Sequence, residues 1–163
     1  MILEGKDLEE KNIIKNTKWK NQFQPAGVDL SLESIHEFLS AGVIDGDNSK
    51  RKLASCKQLD WNEQDSIHLP QGAYKIIFNE TVEIPKDHAA IARSRSSLLR
   101  CGASVQTAVW DPGYKGRSEA MLQISNKAGL TLYKDAKVAQ LIFIKLQKEA
   151  TNTYSGKYQG ENI

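Results

Sequence analysis

Along most of the chain, short alternations of apolar and polar residues are separated by turn residues, and few stretches keep the three-to-four spacing of a helix. Val28–Leu32 (VDLSL) alternates strictly after a Pro25–Ala26–Gly27 break, as a half-buried strand does. Residues 67–94 and 122–146 carry apolar stretches of strand length, punctuated by Pro, Gly and Asn-Glu, with turns predicted at 126–129 and 134–137. Elsewhere the pattern is weaker. Residues 1–15 mix acids, lysines and Ile/Leu at a spacing that predicts a short helix. Ile35, Phe38 and Leu39 suggest one helical turn, and residues 45–48 (DGDN) the tip of a hairpin between 41–44 and 50–54. Close-set strands with little helix predict an all-β sandwich or barrel. One domain is expected over 1–153. Residues 154–163, polar and without apolar periodicity, are expected to form a mobile C-terminal tail.

Composition narrows the class. A chain of 163 residues, 40% hydrophobic and 26% charged, suits one globular domain with a real core. No apolar run approaches the ~20 residues that span a bilayer, and the charged N-terminus lacks a signal-peptide apolar stretch, so a soluble cytoplasmic protein is expected, with no membrane partner. A net charge of +2 from mixed acids and bases argues against a nucleic-acid surface. Cys56 and Cys101 lie outside any Cys-x-x-Cys motif and are expected to be reduced. His36, His68 and His88 lack zinc-ligand spacing.

Two segments have the residue types for phosphate chemistry. Residues 92–100 (ARSRSSLLR) interleave Arg93, Arg95 and Arg100 with Ser94, Ser96 and Ser97. If Ser96 and Ser97 open a helix, first-turn amides, hydroxyls and guanidinium groups converge as phosphate donors; the alternative is a helix cap with solvated arginines. Residues 106–117 (QTAVWDPGYKGR) hold Asp111 at a Pro-Gly turn after an apolar run, with Tyr114 close behind. Asp111 is then either an exposed functional carboxylate or the first residue of a type II turn, with Pro112 and Gly113 at its centre. Asp29 and Gln140 are unremarkable alone; a buried Gln140 requires its amide to be satisfied.

Taken in order, PAGVDL (25–30), RSSL (95–98), AVWDPGYKG (108–116) and KVAQLIF (137–143) resemble the dUTPase family and its sister, the dCTP deaminases. YSGKYQG (154–160) resembles the tail of the deaminases and of archaeal-type dUTPases, to which the whole is most similar. The resemblance implies a distorted jelly-roll-like β-barrel that forms homotrimers with active sites between subunits. It implies hydrolysis of dUTP to dUMP and pyrophosphate with Mg²⁺, Asp111 activating the water and Arg95 in the catalytic set. Arg95 and Ser96, with Ser97 and Arg100 beside them, would grip the phosphates, and Gln140 the β/γ end. Asp29 would orient water in the Mg²⁺ shell. The hairpin through Gln106, Thr107 and Ala108 would read the pyrimidine edge by its main chain, and Tyr114 would pack under the deoxyribose. The tail, with Tyr154, Lys157 and Gln159, would close over the nucleotide.

The sister activity turns on a glutamate ten positions beyond the aspartate matched to Asp111. Met121 stands there, or Gln123 if two extra residues are allowed for, and neither can shuttle a proton. Glu119 is the nearby carboxylate, two positions from Met121 and so expected on the same strand face. The residues therefore favour the hydrolase over a deaminase or a bifunctional enzyme. The set Asp29, Arg95, Ser96, Asp111 and Gln140 argues against a catalytically silent nucleotide-binding regulator. The tail departs from common dUTPases, which carry a glycine-rich segment with an arginine and an aromatic.

Overall fold

A computed structural model describes residues 1–163. The elements run α1 (Gly5–Glu10), β1 (Ile14–Lys15), β2 (Phe23–Gln24), β3 (Gly27–Phe38), β4 (Cys56–Gln58), β5 (Ser66–Leu69), β6 (Gly72–Phe78), β7 (Thr81–Glu83), β8 (His88–Ser94), α2 (Ser96–Arg100), β9 (Ala103–Gln106), β10 (Lys115–Gly116), β11 (Glu119–Ile124), β12 (Leu130–Tyr133) and β13 (Lys137–Lys145). The main sheet has the order β8-β13-β3-β6-β11-β9, with β2 and β4 also paired to β3. Its two ends meet. Ser94 Oγ, at the end of β8, accepts from Val105 N at 2.8 Å and donates to Val105 O at 3.2 Å on β9. The sheet is thus a nearly closed barrel with little helix, as the sequence predicts. Two small sheets, β1-β7-β10 and β12-β5, complete the fold. No helix is long and apolar enough to cross a membrane.

β3 forms the spine. Its first half pairs with β13 and its second half with β6, and the register shifts between Leu32 and Ser34, where the strand changes partner. Val28, Leu30 and Leu32 point into a core shared with Phe78, Leu122, Leu141 and Phe143. The half-buried strand expected from VDLSL needs correction: Asp29, Ser31 and Ser34 on the other face are buried as well. Asp29 and Ser31 are covered there by polar side chains that bond to them, among them Gln22, Glu80 and Lys137. The helical turn suggested by Ile35 and Phe38 is also corrected. Ile35 pairs with Ile76 and Phe38 with Cys56, because ladders on both sides satisfy the backbone better than one isolated turn would.

Other local expectations hold. Residues 45–48 form the tip of a hairpin closed by Val43 and Lys52, whose amides and carbonyls exchange bonds of 2.7 and 2.9 Å. Gly129 N donates to Asn126 O at 3.0 Å, and Ala136 N to Tyr133 O at 3.1 Å, at the two turns expected after β11. Pro25–Ala26–Gly27 is required by packing. Gly27 has φ +135°, and a Cβ there would lie 2.1 Å from Leu141 O, so only glycine lets β3 approach β13 this closely.

Candidate active site

Asp111 sits where a rigid frame meets solvent. Trp110, the residue before it, is buried; its amide and carbonyl each bond Ala90 at 2.9 Å, and its indole N–H donates to Ser118 Oγ at 2.6 Å. The turn that follows closes with Tyr114 N donating to Asp111 O at 3.1 Å, and Gly113 has φ +83°. These are the marks of the type II turn expected at Pro112–Gly113. A Cβ on Gly113 would meet Thr153 Cβ at 2.7 Å. The turn reading and the functional reading of Asp111 are therefore compatible. The carboxylate stands exposed, with no side-chain hydrogen bond or ion pair, on the wall of a cleft of about 790 Å³ that Trp110, Tyr114, Lys75, Glu119 and Tyr154 also line.

Tyr114 is buried beneath this cleft. Its hydroxyl shares a 2.8 Å bond with Ser118 Oγ and donates to Glu161 Oε1 at 2.8 Å, and its ring meets Tyr154 edge-on at 5.6 Å. Burial pushes the phenol well above its usual range and also pushes the Glu161 carboxyl upward. The C-terminal segment runs back along the turn. Tyr154 N donates to Pro112 O at 2.7 Å, Gly160 N to Lys115 O at 2.8 Å and Arg117 N to Glu161 O at 3.0 Å. Gln159 bridges the turn by accepting from Lys115 N at 2.9 Å and donating to Gly113 O at 2.9 Å. Lys157 stays exposed, its ammonium 5.9 Å from the centre of the Tyr158 ring.

A second polar station forms where β3, β13 and the end of β8 run side by side. Asp29 is buried, yet its carboxylate is shared by Arg95 Nε at 3.5 Å and Lys137 Nζ at 3.2 Å, with Gln24 Nε2 donating at 3.3 Å. Gln140, half-buried, pairs across the sheet with Asp29 on one side and Arg93 on the other. Ser96, Ser97 and Arg100 are exposed on α2, whose N-cap is Arg95 without a side-chain capping bond. Gln106 and Ala108 are exposed and Thr107 half-buried between β9 and Trp110.

The sequence candidates thus fall into two groups. Asp111, Ala108, Tyr114 and Tyr154 share the cleft, and none of Asp29, Arg95, Ser96 or Gln140 lines it. Lys137 and Glu161 join these stations without having been singled out from sequence. Lys137 carried a signal, since it opens the segment that contains Gln140; Glu161 carried none. On β11, Glu119, Met121 and Gln123 lie on one face, as the even spacing predicts. Of the three, only Glu119 lines the cleft, with Lys75 Nζ 3.0 Å from its carboxylate.

The donor set suits a metal held through water. No three His, Cys, Asp or Glu side chains gather as a metal cage. Asp29, already engaged by two cations, is better placed to accept from a metal-bound water than to displace one. Mg²⁺ keeps several waters and takes oxygens from substrate phosphates.

A family model described as dCTP deaminase-like matches residues 4–146. A Methanosarcina acetivorans protein named probable deoxyuridine 5'-triphosphate nucleotidohydrolase is 52% identical over 143 residues, covering 88% of this chain and 84% of its own. The deoxyuridine 5'-triphosphate nucleotidohydrolase of Methanocaldococcus jannaschii is 38% identical over 151 residues, 92% of this chain and 94% of that protein. A probable one from Aeropyrum pernix is 38% identical over the whole of both chains. Among solved structures, 2'-deoxycytidine 5'-triphosphate deaminase from Agrobacterium tumefaciens superposes with a TM-score of 0.66 at 21% identity, over 87% of this chain and 47% of that one. The chain thus spans about half the length of that deaminase. A dUTPase of Staphylococcus bacteriophage 80alpha superposes with a TM-score of 0.51 at 14% identity, over 90% of this chain and 92% of that one. Both likenesses are of fold.

Proposed function

The chain belongs to the dCTP deaminase-like family, and we propose that it is the dUTP diphosphatase of that family, cleaving dUTP to dUMP and pyrophosphate. The observation that carries the chemistry is the exposed, unpaired carboxylate of Asp111, held by a rigid turn over a cleft of nucleotide size. A base must have a free oxygen, and Asp111 has two. It takes a proton from a water molecule whose oxygen attacks the α-phosphorus. The bond from the α-phosphorus to the α,β-bridging oxygen then breaks, and pyrophosphate leaves with its electron pair.

Arg95 and Ser96 take the phosphate oxygens, with Ser97 and Arg100 beside them, and Gln140 meets the β/γ end. Asp29, tethered between Arg95 and Lys137, orients water around the triphosphate-bound metal. When bound, Mg²⁺ supplies positive charge against the developing pyrophosphate. The main chain through Gln106, Thr107 and Ala108 reads the pyrimidine edge. The Tyr114 ring supports the deoxyribose, with its hydroxyl already committed to Ser118 and Glu161. Because Asp29, Arg95, Ser96 and Gln140 do not line the cleft that holds Asp111, the complete site forms between subunits of a homotrimer, the tail serving as its cover. A soluble cytoplasmic enzyme without nucleic-acid partners fits the balanced charge.

Glu119 supports a second reading, since it brings a carboxylate into the same cleft as Asp111. Deamination of dCTP requires that carboxylate to carry a proton to the 4-amino group, whereas here it is engaged by Lys75. Incubation with dUTP and with dCTP separately, each with Mg²⁺, distinguishes the two. The hydrolase reading expects dUMP and pyrophosphate from dUTP and little or no ammonia from dCTP. Ammonia release from dCTP at a rate comparable to dUTP cleavage overturns it.

A further inference from the structure

Behind Asp29, on the face of β3 that carries its polar side chains, lies a carboxylate with no part in the chemistry described above. Glu80, in the connection between β6 and β7, is fully buried and makes no ion pair. Three donors converge on it instead: Gln22 Nε2 at 2.6 Å and Ser31 Oγ at 2.6 Å on Oε1, and Ser31 N at 2.9 Å on Oε2. Burial pushes its carboxyl upward while these donors pull it back. An isolated buried carboxylate is costly unless its oxygens are satisfied, so what it organises is informative.

What it organises is Gln22, also fully buried. The Gln22 amide nitrogen divides its two hydrogens between Glu80 and the carbonyl of Asp29, at 2.6 and 2.8 Å. Its Oε1 accepts from the amide of Trp19 at 2.8 Å, which fixes which end of the side chain faces Glu80. The Gln22 carbonyl in turn accepts from Asp29 N at 2.8 Å. Both main-chain polar groups of Asp29 are therefore held by Gln22. Ser31, two residues further along the same strand face, is held by Glu80 directly.

We propose that Glu80 is a positioning residue for Asp29, acting through Gln22 to hold the Asp29 peptide so that its carboxylate meets the water shell of the metal-bound triphosphate. The inference rests on the role given to Asp29 under Proposed function. A glutamate is needed because three donors meet two oxygens. In Glu80→Gln the amide nitrogen must face a donor, and the clamp loosens while size and shape are kept. The effect is confined to the triphosphate end, because Asp111 and its cleft lie on the other station.

The test compares Glu80→Gln, Asp29→Asn and the double variant, each first shown to be folded and trimeric at the assay temperature. Glu80→Gln is expected to raise both the Mg²⁺ concentration for half-maximal activity and KM for dUTP by roughly ten- to a hundredfold, the scale of lost indirect support. It should leave the Kd of dUMP, which lacks the β- and γ-phosphates, unchanged. In the Asp29→Asn background it should add little. Equal losses of dUMP and dUTP binding identify a general structural role and overturn the proposal. So do wild-type Mg²⁺ and dUTP parameters, or full additivity with Asp29→Asn. If Asp29→Asn is crippled while Glu80→Gln is normal, only this inference falls; if Asp29→Asn is itself normal, the role of Asp29 falls and this inference with it. Should Glu80→Gln fail to fold, Gln22→Met is judged by the same criteria, since it cuts the side-chain link from Glu80 to the Asp29 carbonyl and leaves both Ser31 bonds to Glu80 in place.

Discussion

The phenol of Tyr114 donates to Glu161 Oε1 at 2.8 Å and so fastens the end of the chain to the turn that carries Asp111. This bond gives the tail a titratable latch. Glu161 is an acid whose carboxyl is raised above its usual 4.5, first by burial and then by Glu119, with Lys75 and the Tyr114 bond opposing. A raised acid stabilises the docked state below its ordinary pKa, and that contribution is lost as pH rises through the raised value. The tail should therefore loosen as pH rises from below the ordinary carboxyl range through the raised value. Hydrogen exchange at Tyr154 N and Gly160 N, corrected for intrinsic rates, reads this directly, since these amides bond Pro112 O and Lys115 O. In Glu161→Gln, which keeps an acceptor for Tyr114, protection should become nearly independent of pH. The same slope in both proteins excludes the latch. Deleting residues 154–163 should leave the barrel folded and lower kcat/KM for dUTP strongly.

The base assignment predicts a split between binding and turnover. Asp111→Asn preserves the shape of the side chain on a turn held by Trp110 and Gly113, and removes only the basic oxygen. General-base contributions are typically ~10²–10⁴-fold, so kcat should fall by that much while nucleotide affinity is largely kept. Single-turnover rates with a parallel measurement of Kd for a non-hydrolysable analogue separate the two. Near-normal turnover in Asp111→Asn removes Asp111 from the mechanism.

Much of this was legible in the sequence, for identifiable reasons. Short alternating segments and Pro-Gly punctuation encode strands and turns locally, which is why the all-β barrel, the 45–48 hairpin tip and the turn after Asp111 could be read. The Ile35–Phe38 stretch does not read as a strand, because its three-residue spacing resembles a helical turn until pairing with β6 and β4 is known. Motif order singles out Asp29, Arg95, Asp111 and Gln140 as candidates, but their separation into two stations depends on strand order, which spacing does not carry. Glu80 was invisible, because Asn79–Glu80 reads as an ordinary break between apolar stretches. Its burial becomes evident only once Gln22 and Ser31 are brought to it from elsewhere in the chain.

Lys137 leads to a prediction that the sequence motif alone did not. Its ammonium lies 3.2 Å from the buried Asp29 carboxylate, and its own side chain is largely covered. Lys137→Met leaves Asp29 with Arg95 at 3.5 Å as its single ion-pair partner. Leaving a buried charge short of a partner typically costs about 1–3 kcal/mol. Thermal or denaturant unfolding near neutral pH should show a loss of that order, and the KM for dUTP should rise about tenfold or more as Asp29 swings away. Lys137→Arg, which keeps the charge, should recover most of the stability. Unchanged stability and KM in Lys137→Met mean that Arg95 and Gln24 hold Asp29 without Lys137.

The separation of the two stations predicts complementation between defective subunits. Arg95 and Asp111 belong to different clusters of one chain. If each active site takes Asp111 from one subunit and Arg95 from the next around a threefold ring, Asp111→Asn and Arg95→Ala trimers are each inactive alone. In an equal mixture that assembles at random, about three quarters of the trimers contain both kinds of subunit. Each such trimer has one interface at which an intact Asp111 faces an intact Arg95, so about one quarter of wild-type activity should return by simple counting on cyclic symmetry. The measurement is dUTP turnover after the two variants are unfolded together and refolded, with each refolded separately as the control. Recovery near one quarter requires sites shared between subunits. No recovery from trimers shown by native mass spectrometry to be mixed places both residues in one chain's site, and sedimentation of the wild-type protein as a monomer removes the trimer altogether.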